Sequence, residues 1–188
     1  VDLLEAAPLL ADKVVEQAGG HPVTIVSPDF GGAKRAQRVQ ELVAVRLGAP
    51  VEFAVLEKRR DNGEVSGDLI IGPVSGRHAV VVDDLISAGT TILRAVQACR
   101  AAGALSVSAF ATHGVFAPGA ERLLGPDGPD RLYVTDTLLP TRLTPPSGGA
   151  TQLVVLPASG LFAEALRRIG AGESVVALRE MERRPPAR

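Results

Sequence analysis

The stretch VVVDDLISAGTT (80–91) runs three valines into two adjacent carboxylates, Asp83 and Asp84, and then into five small or hydroxylated residues, Ser87, Ala88, Gly89, Thr90 and Thr91. Carboxylates that end an apolar run are costly to bury without partners. Two of them side by side can accept hydrogen bonds from two neighbouring hydroxyls, or hold a metal through water. The small residues open a helix, where backbone N–H groups and hydroxyls can wrap a phosphate monoester and a bulky side chain would take its space. Acids for hydroxyls beside a cup for phosphate suit a ribose 5-phosphate. The plainer alternative is a capped helix start after a strand. A nucleoside-triphosphate P-loop needs Gly, four residues, then Gly-Lys-Ser/Thr, and the chain lacks it.

Two further stretches carry chemistry. In PDFGGAKR (28–35), Asp29 follows an apolar run directly, and Gly31 and Gly32 permit unusual backbone angles and close approach of a ligand. Lys34 and Arg35 add positive charge at a helix start suited to phosphate. Asp29 beside such a nest can hold Mg²⁺, which prefers oxygen ligands. The competing reading is an ordinary Asp-Gly turn. In EKRRDNGE (57–64), Lys58, Arg59 and Arg60 precede turn residues. A flexible basic loop there can close over a polyphosphate and stabilise charge in the transition state; a solvated hairpin tip is the alternative.

The elements that must position these groups alternate in type. Strands are expected at 23–27, 51–57, 68–72, 78–83, 106–114, 132–136 and 151–157, and helices at 31–48, 91–103, 119–125 and 160–170. This order predicts a three-layer α/β fold, a mainly parallel sheet with helices on both faces. Ligands of such sheets bind beyond the carboxyl ends of the strands, where all three stretches fall. Residues 138–150 read as a Pro- and Gly-rich loop, 1–180 as one domain, and 181–188 as a frayed tail.

Composition narrows the class. A hydrophobic share of 46% can fill a sizeable core, and a net charge of −1 provides no field to favour nucleic acid or an anionic membrane. The single cysteine, Cys99, excludes an internal disulfide and fits a reducing compartment. No apolar run is long enough to span a bilayer, so a soluble cytoplasmic protein is expected.

Several stretches, taken in order, resemble the second half of the ribose-phosphate pyrophosphokinases, relatives of the type I phosphoribosyltransferases. They are SPDFGGAKRA (27–36), EKRR (57–60), GPVSGRHAVVVDD (72–84), ATHGVF (111–116), VTDT (134–137) and AEALRRIGAGESV (163–175). DLLEAAPLLADKV (2–14) is similar to the entry into that half. The resemblance implies a phosphoribosyltransferase-like (Rossmann-like) fold, a homo-oligomer, and transfer of the β,γ-pyrophosphoryl group of ATP to ribose 5-phosphate with Mg²⁺. It further implies that Asp29 is a metal ligand in a pyrophosphate loop with Gly31 and Gly32. Lys58 and Arg60 would act in a mobile catalytic loop, Asp83 and Asp84 would hold the ribose hydroxyls, and Ser87 to Thr91 would bind the 5-phosphate. The family's first half, which supplies most of the ATP site, would have to be added. Ala88 stands where the family pattern has a hydroxyl and Thr90 where it has glycine. Two other readings therefore stay open: a stand-alone phosphoribosyltransferase, and a non-catalytic regulatory homologue.

Overall fold

The computed structural model describes residues 4–61, 64–139, 143, 151–176 and 178, and for 58–61 and 64–68 the backbone path alone. Most of the 138–150 stretch and the whole 181–188 tail lie outside the described residues. The elements in chain order are α1 (Ala7–Ala18), β1 (Val23–Ser27), α2 (Ala33–Leu47), β2 (Glu52–Asp61), β3 (Glu64–Ile71), β4 (His78–Ile86), α3 (Thr90–Ala101), β5 (Ser106–Gly114), a 3₁₀ turn (Ala120–Leu124), β6 (Arg131–Thr135), β7 (Gln152–Leu156) and α4 (Ser159–Gly170).

The strands form one seven-stranded sheet in the order β3-β2-β1-β4-β5-β6-β7. Every pairing is parallel except β2 with β3. Alternation along each strand feeds two cores. Val26, Val81, Ala109 and Val134 face α3 residues Ile92 and Val96 on one side. Ile25, Val80, Val82, Phe110 and Tyr133 face Leu10 and Val14 of α1 and Val39 and Leu42 of α2 on the other. Runs such as VTIVS are buried on both faces, which is why they are continuously apolar rather than alternating. Phe110 and Tyr133 stack across β5 and β6 with ring centroids 4.3 Å apart. The three-layer α/β expectation holds.

Helix α1 was not among the expected elements, although its signals are present. Pro8 sits in its first turn, its buried residues Leu10, Ala11, Val14 and Ala18 share one face, and Gly19 ends it at φ 53°. The basic stretch also differs from expectation. Lys58 and Arg60 lie on the outgoing arm of the β2–β3 hairpin rather than in an open loop. β2 leaves β1 after the pair Ser27–Val55 and continues to Asp61 with β3 as its partner. The cause is local: a two-stranded ribbon beyond the sheet is held by its own ladder and needs no apolar face, so hydrophobic patterning ends before the strand does. A register shift between Arg59 and Arg60 adds a bulge. At roughly 3.3 Å per residue the arm extends on the order of 20 Å past the end of β1.

Candidate active site

Strand order reverses between β1 and β4: the chain builds outward from β1 to β2 and β3 on one side, and from β4 to β7 on the other. The crevice beyond the carboxyl ends at such a reversal is the standard ligand position in open α/β sheets. A cleft of about 260 Å³ lies there, lined by Asp29, Asp83, Asp84 and the run Leu85 to Ile92. Eight of the residues expected from sequence therefore line one cavity: Asp29, Asp83, Asp84, Ser87, Ala88, Gly89, Thr90 and Thr91.

Asp29 is fixed by its own turn. Ser27 Oγ donates to the Asp29 carbonyl at 2.7 Å, and Asp29 Oδ1 accepts from the Gly32 N–H at 2.8 Å. Gly31 and Gly32 do not take left-handed angles; Gly32 sits at φ −83°, ψ −7°. The unusual angles that these glycines permit are not used here. The need is for space: a Cβ on Gly32 would stand 3.1 Å from both Ser27 Oγ and Arg35 Nη1, and one on Gly31 would stand 3.3 Å from Asp29 Oδ1.

The phosphate-cup stretch does contain a conformational demand. Gly89 caps α3 at φ 79°, with no side chain satisfying the helix start, so the first-turn N–H groups of Thr90, Thr91 and Ile92 have no intrahelical partner. A Cβ at Gly89 would lie 2.5 Å from Leu123 Cδ1. Gly89→Ala is expected to destabilise the fold by about 2–5 kcal/mol, combining left-handed strain with overpacking; urea denaturation checks it, and an unchanged midpoint would refute the packing account.

Asp83 and Asp84 lie within β4, which runs on to Ile86 rather than stopping at residue 83. Asp83 is the more enclosed, with its side chain 17% exposed against 52% for Asp84. Each carboxylate accepts the next backbone N–H, Asp84 N to Asp83 Oδ1 and Leu85 N to Asp84 Oδ1, both 2.8 Å. Arg35, from the first turn of α2, bridges the pair: Nη1 donates to Asp83 Oδ1 at 3.0 Å and Nη2 to Asp84 Oδ2 at 2.5 Å. Sequence reading assigned Arg35 to phosphate through its neighbours in the chain. Its acidic partners are 48 and 49 residues away, and only the β1–β4 adjacency brings them together.

Burial pushes Asp83 up to about 6, helped by the neighbouring Asp84 charge and opposed by the Asp84 N–H and Arg35. The folded chain thus holds this proton more tightly than the unfolded one. The resulting penalty on the ionised form is present above pH 6 and disappears as pH falls towards the unfolded value near 4. Asp83→Asn mimics the protonated state. It is expected to stabilise the protein at pH 7 by about 1–2 kcal/mol after allowance for partial solvation, with the gain shrinking towards pH 4. Denaturant titrations at both pH values test this; equal gains at both would exclude Asp83 as the source.

Beside the cleft, His113 Nδ1 is hydrogen-bonded to Thr137 Oγ1 at 2.7 Å, and Thr135 Oγ1 donates to the Thr112 carbonyl at 2.6 Å. This ties the ends of β5 and β6 together. Among the described residues no three His, Cys, Asp or Glu gather as a metal-ligand set. The side chains of Lys58 and Arg60 lie outside the described ones.

Fold and cleft together define an α/β domain with a cleft at the switch point of its sheet. The chain belongs to the family described as the phosphoribosyl synthetase-associated domain, which matches residues 55–179. It is 36% identical over 179 residues to the ribose-phosphate pyrophosphokinase of Pasteurella multocida, covering 95% of this chain and 54% of that one. It is 37% identical over 179 residues to the same-named protein of Granulibacter bethesdensis, with 95% and 55% covered. Among solved structures, phosphoribosylpyrophosphate synthetase from Mycobacterium smegmatis matches with a TM-score of 0.71 at 28% identity, over 89% of this chain and 51% of that one. The chain spans about half the length of the curated relatives it matches.

Proposed function

We propose that this chain is the ribose- and pyrophosphate-binding half of a ribose-phosphate diphosphokinase, which moves the pyrophosphoryl group of ATP to the anomeric hydroxyl of ribose 5-phosphate. The observation that carries this reading is the meeting, in one cleft, of the Asp83–Asp84 pair with the 87–91 helix start and the Asp29 turn. In this reading ionised Asp83 and Asp84 accept the ribose hydroxyl protons in hydrogen bonds. Ser87, Thr90, Thr91 and the free N–H groups around Gly89 hold the 5-phosphate. The sugar is then pinned at both ends, with its anomeric hydroxyl turned towards the Asp29–Gly32 turn. Catalysis by positioning and charge is what phosphoryl-type transfers demand.

Mg²⁺ fits this arrangement as a shared ion. Asp29 Oδ1 is taken by the Gly32 N–H, while Oδ2 has no protein partner among the described residues. One carboxylate plus substrate phosphates is a common Mg²⁺ environment. Bound there, the ion would neutralise charge on the transferring group. Lys58 and Arg60 belong to the ribbon that extends beyond the end of β1 and would supply further positive charge. ATP requires more protein than these residues offer, and in this reading the family length that the chain does not match supplies it. The absence, among the described residues, of any helix long and apolar enough to cross a membrane accords with a cytoplasmic site of action. A homo-oligomer with no membrane or nucleic-acid partner completes the proposal.

Calorimetric titration tests the reading. Ribose 5-phosphate and 5-phosphoribosyl 1-pyrophosphate are each titrated with and without Mg²⁺. Binding of both, with the pyrophosphate ligand dependent on Mg²⁺, is the expected result. Failure of both ligands to bind would remove the synthetase and the phosphoribosyltransferase readings and leave a regulatory homologue.

A further inference from the structure

Arg35 reaches the acid pair from the first turn of α2. Three of the four oxygens of the acid pair take protein donors: Asp83 Oδ1 from the Asp84 N–H and Arg35, Asp84 Oδ1 from the Leu85 N–H, and Asp84 Oδ2 from Arg35. The two backbone bonds are local and leave room for a ligand. The two guanidinium bonds are the ones a ligand can replace, because a pair of neighbouring hydroxyls presents the same two donors to the same two carboxylates. They are charge-assisted, so replacement is not free.

The other end of this side chain is equally constrained. Arg35 is the third residue of α2, directly after the Asp29–Gly32 turn. Its Nη1 stands 3.1 Å from where a Cβ on Gly32 would be. The guanidinium therefore lies over the turn that, on the reading above, receives the pyrophosphate chain. Moved off the acids, it remains within reach of an anion there without any shift of the helix.

We propose that Arg35 is a positioning residue with two stations, the acid pair in the empty site and the phosphate chain in the filled one. In the empty site it neutralises two adjacent carboxylates, of which Asp83 is largely enclosed. Ribose hydroxyls release it, and it then adds positive charge at the Asp29–Gly32 turn. Pyrophosphate draws it away from the acids and frees them for the sugar. Each ligand thus tightens the other, and by linkage the two effects are equal. This inference rests on the proposed ribose and pyrophosphate sites and adds a coupling between them that neither site requires.

The test uses ribose 5-phosphate and inorganic pyrophosphate with Mg²⁺ as probes, at pH 8, where Asp83 is ionised. Each is titrated alone and in the presence of the other, into wild type, Arg35→Gln and Arg35→Lys, with circular dichroism confirming that the variants are folded. Wild type is expected to show mutual tightening of about fivefold or more. Arg35→Gln is expected to lose that coupling while binding ribose 5-phosphate alone at least as well, since nothing then has to be displaced. Arg35→Lys is expected to fall between them. Equal coupling in wild type and Arg35→Gln, absent coupling in wild type, or loss of ribose 5-phosphate binding in Arg35→Gln would each overturn the proposal. Failure of the underlying site reading looks different: wild type would not bind ribose 5-phosphate, or Asp83→Ala would bind it unchanged.

Discussion

Replacing Lys58 with alanine is expected to slow pyrophosphoryl transfer by about 10²–10³-fold, the usual cost of losing one preorganised charge partner of a transition state. Ribose 5-phosphate affinity should stay close to wild type, because on the proposed reading Lys58 meets charge that develops during transfer rather than the sugar. The backbone puts Lys58 opposite Asp68 in the ribbon that carries β2 beyond the end of β1. AMP release from ATP, measured for wild type and variant in a preparation that turns over, reads the effect directly. A wild-type rate in the variant would exclude Lys58 from the reaction and leave the ribbon a structural hairpin.

Asp83→Ala is expected to weaken ribose 5-phosphate binding by about 10–100-fold, corresponding to one lost hydrogen bond to a charged group. Asp84 is expected to matter less, because it is half exposed and its competition with water is stronger. Asp83 also has a cost that the variant removes: its buried charge destabilises the native chain at neutral pH, so Asp83→Asn should gain stability as it loses ligand. Such an opposition would mark a site maintained for binding rather than for folding. Titration of both variants, with denaturation curves on the same samples, checks the pair of effects together. Undiminished ribose 5-phosphate binding by Asp83→Ala would move the sugar elsewhere in the molecule.

The parts of this architecture legible in the sequence are those written in local pattern. Strand β5 is expected at 106–114 and found at Ser106–Gly114, because its apolar run is bounded by a glycine-ended helix and a turn. The cleft residues were legible because two acids after three valines have no cheap structural explanation. What escaped was non-local or polar. The ribbon arms at 58–61 and 64–67 contain mostly charged and small residues, so nothing in hydrophobic period marks them as strand. Helix α1 carried a proline start and a glycine stop but drew no assignment. For the glycines of the Asp29 turn the sequence allows either angle or space as the reason, and the structure shows ordinary angles and tight space. Arg35 was read with its chain neighbours, and only the adjacency of β1 and β4 reveals its second set of partners.

That same adjacency has a kinetic side. Val23 pairs with His78 and Val26 with Val81, so the two walls of the cleft come from segments separated by an entire helix and hairpin. The β2–β3 hairpin can close early through contacts near in sequence, whereas the β1–β4 seam must first pay the entropy of a long closure. On contact order the acid pair and the Asp29 turn are expected to meet late in folding, after the hairpin and helices. A ligand bound across the central seam would then report its completion and act as a clasp on a late step of assembly.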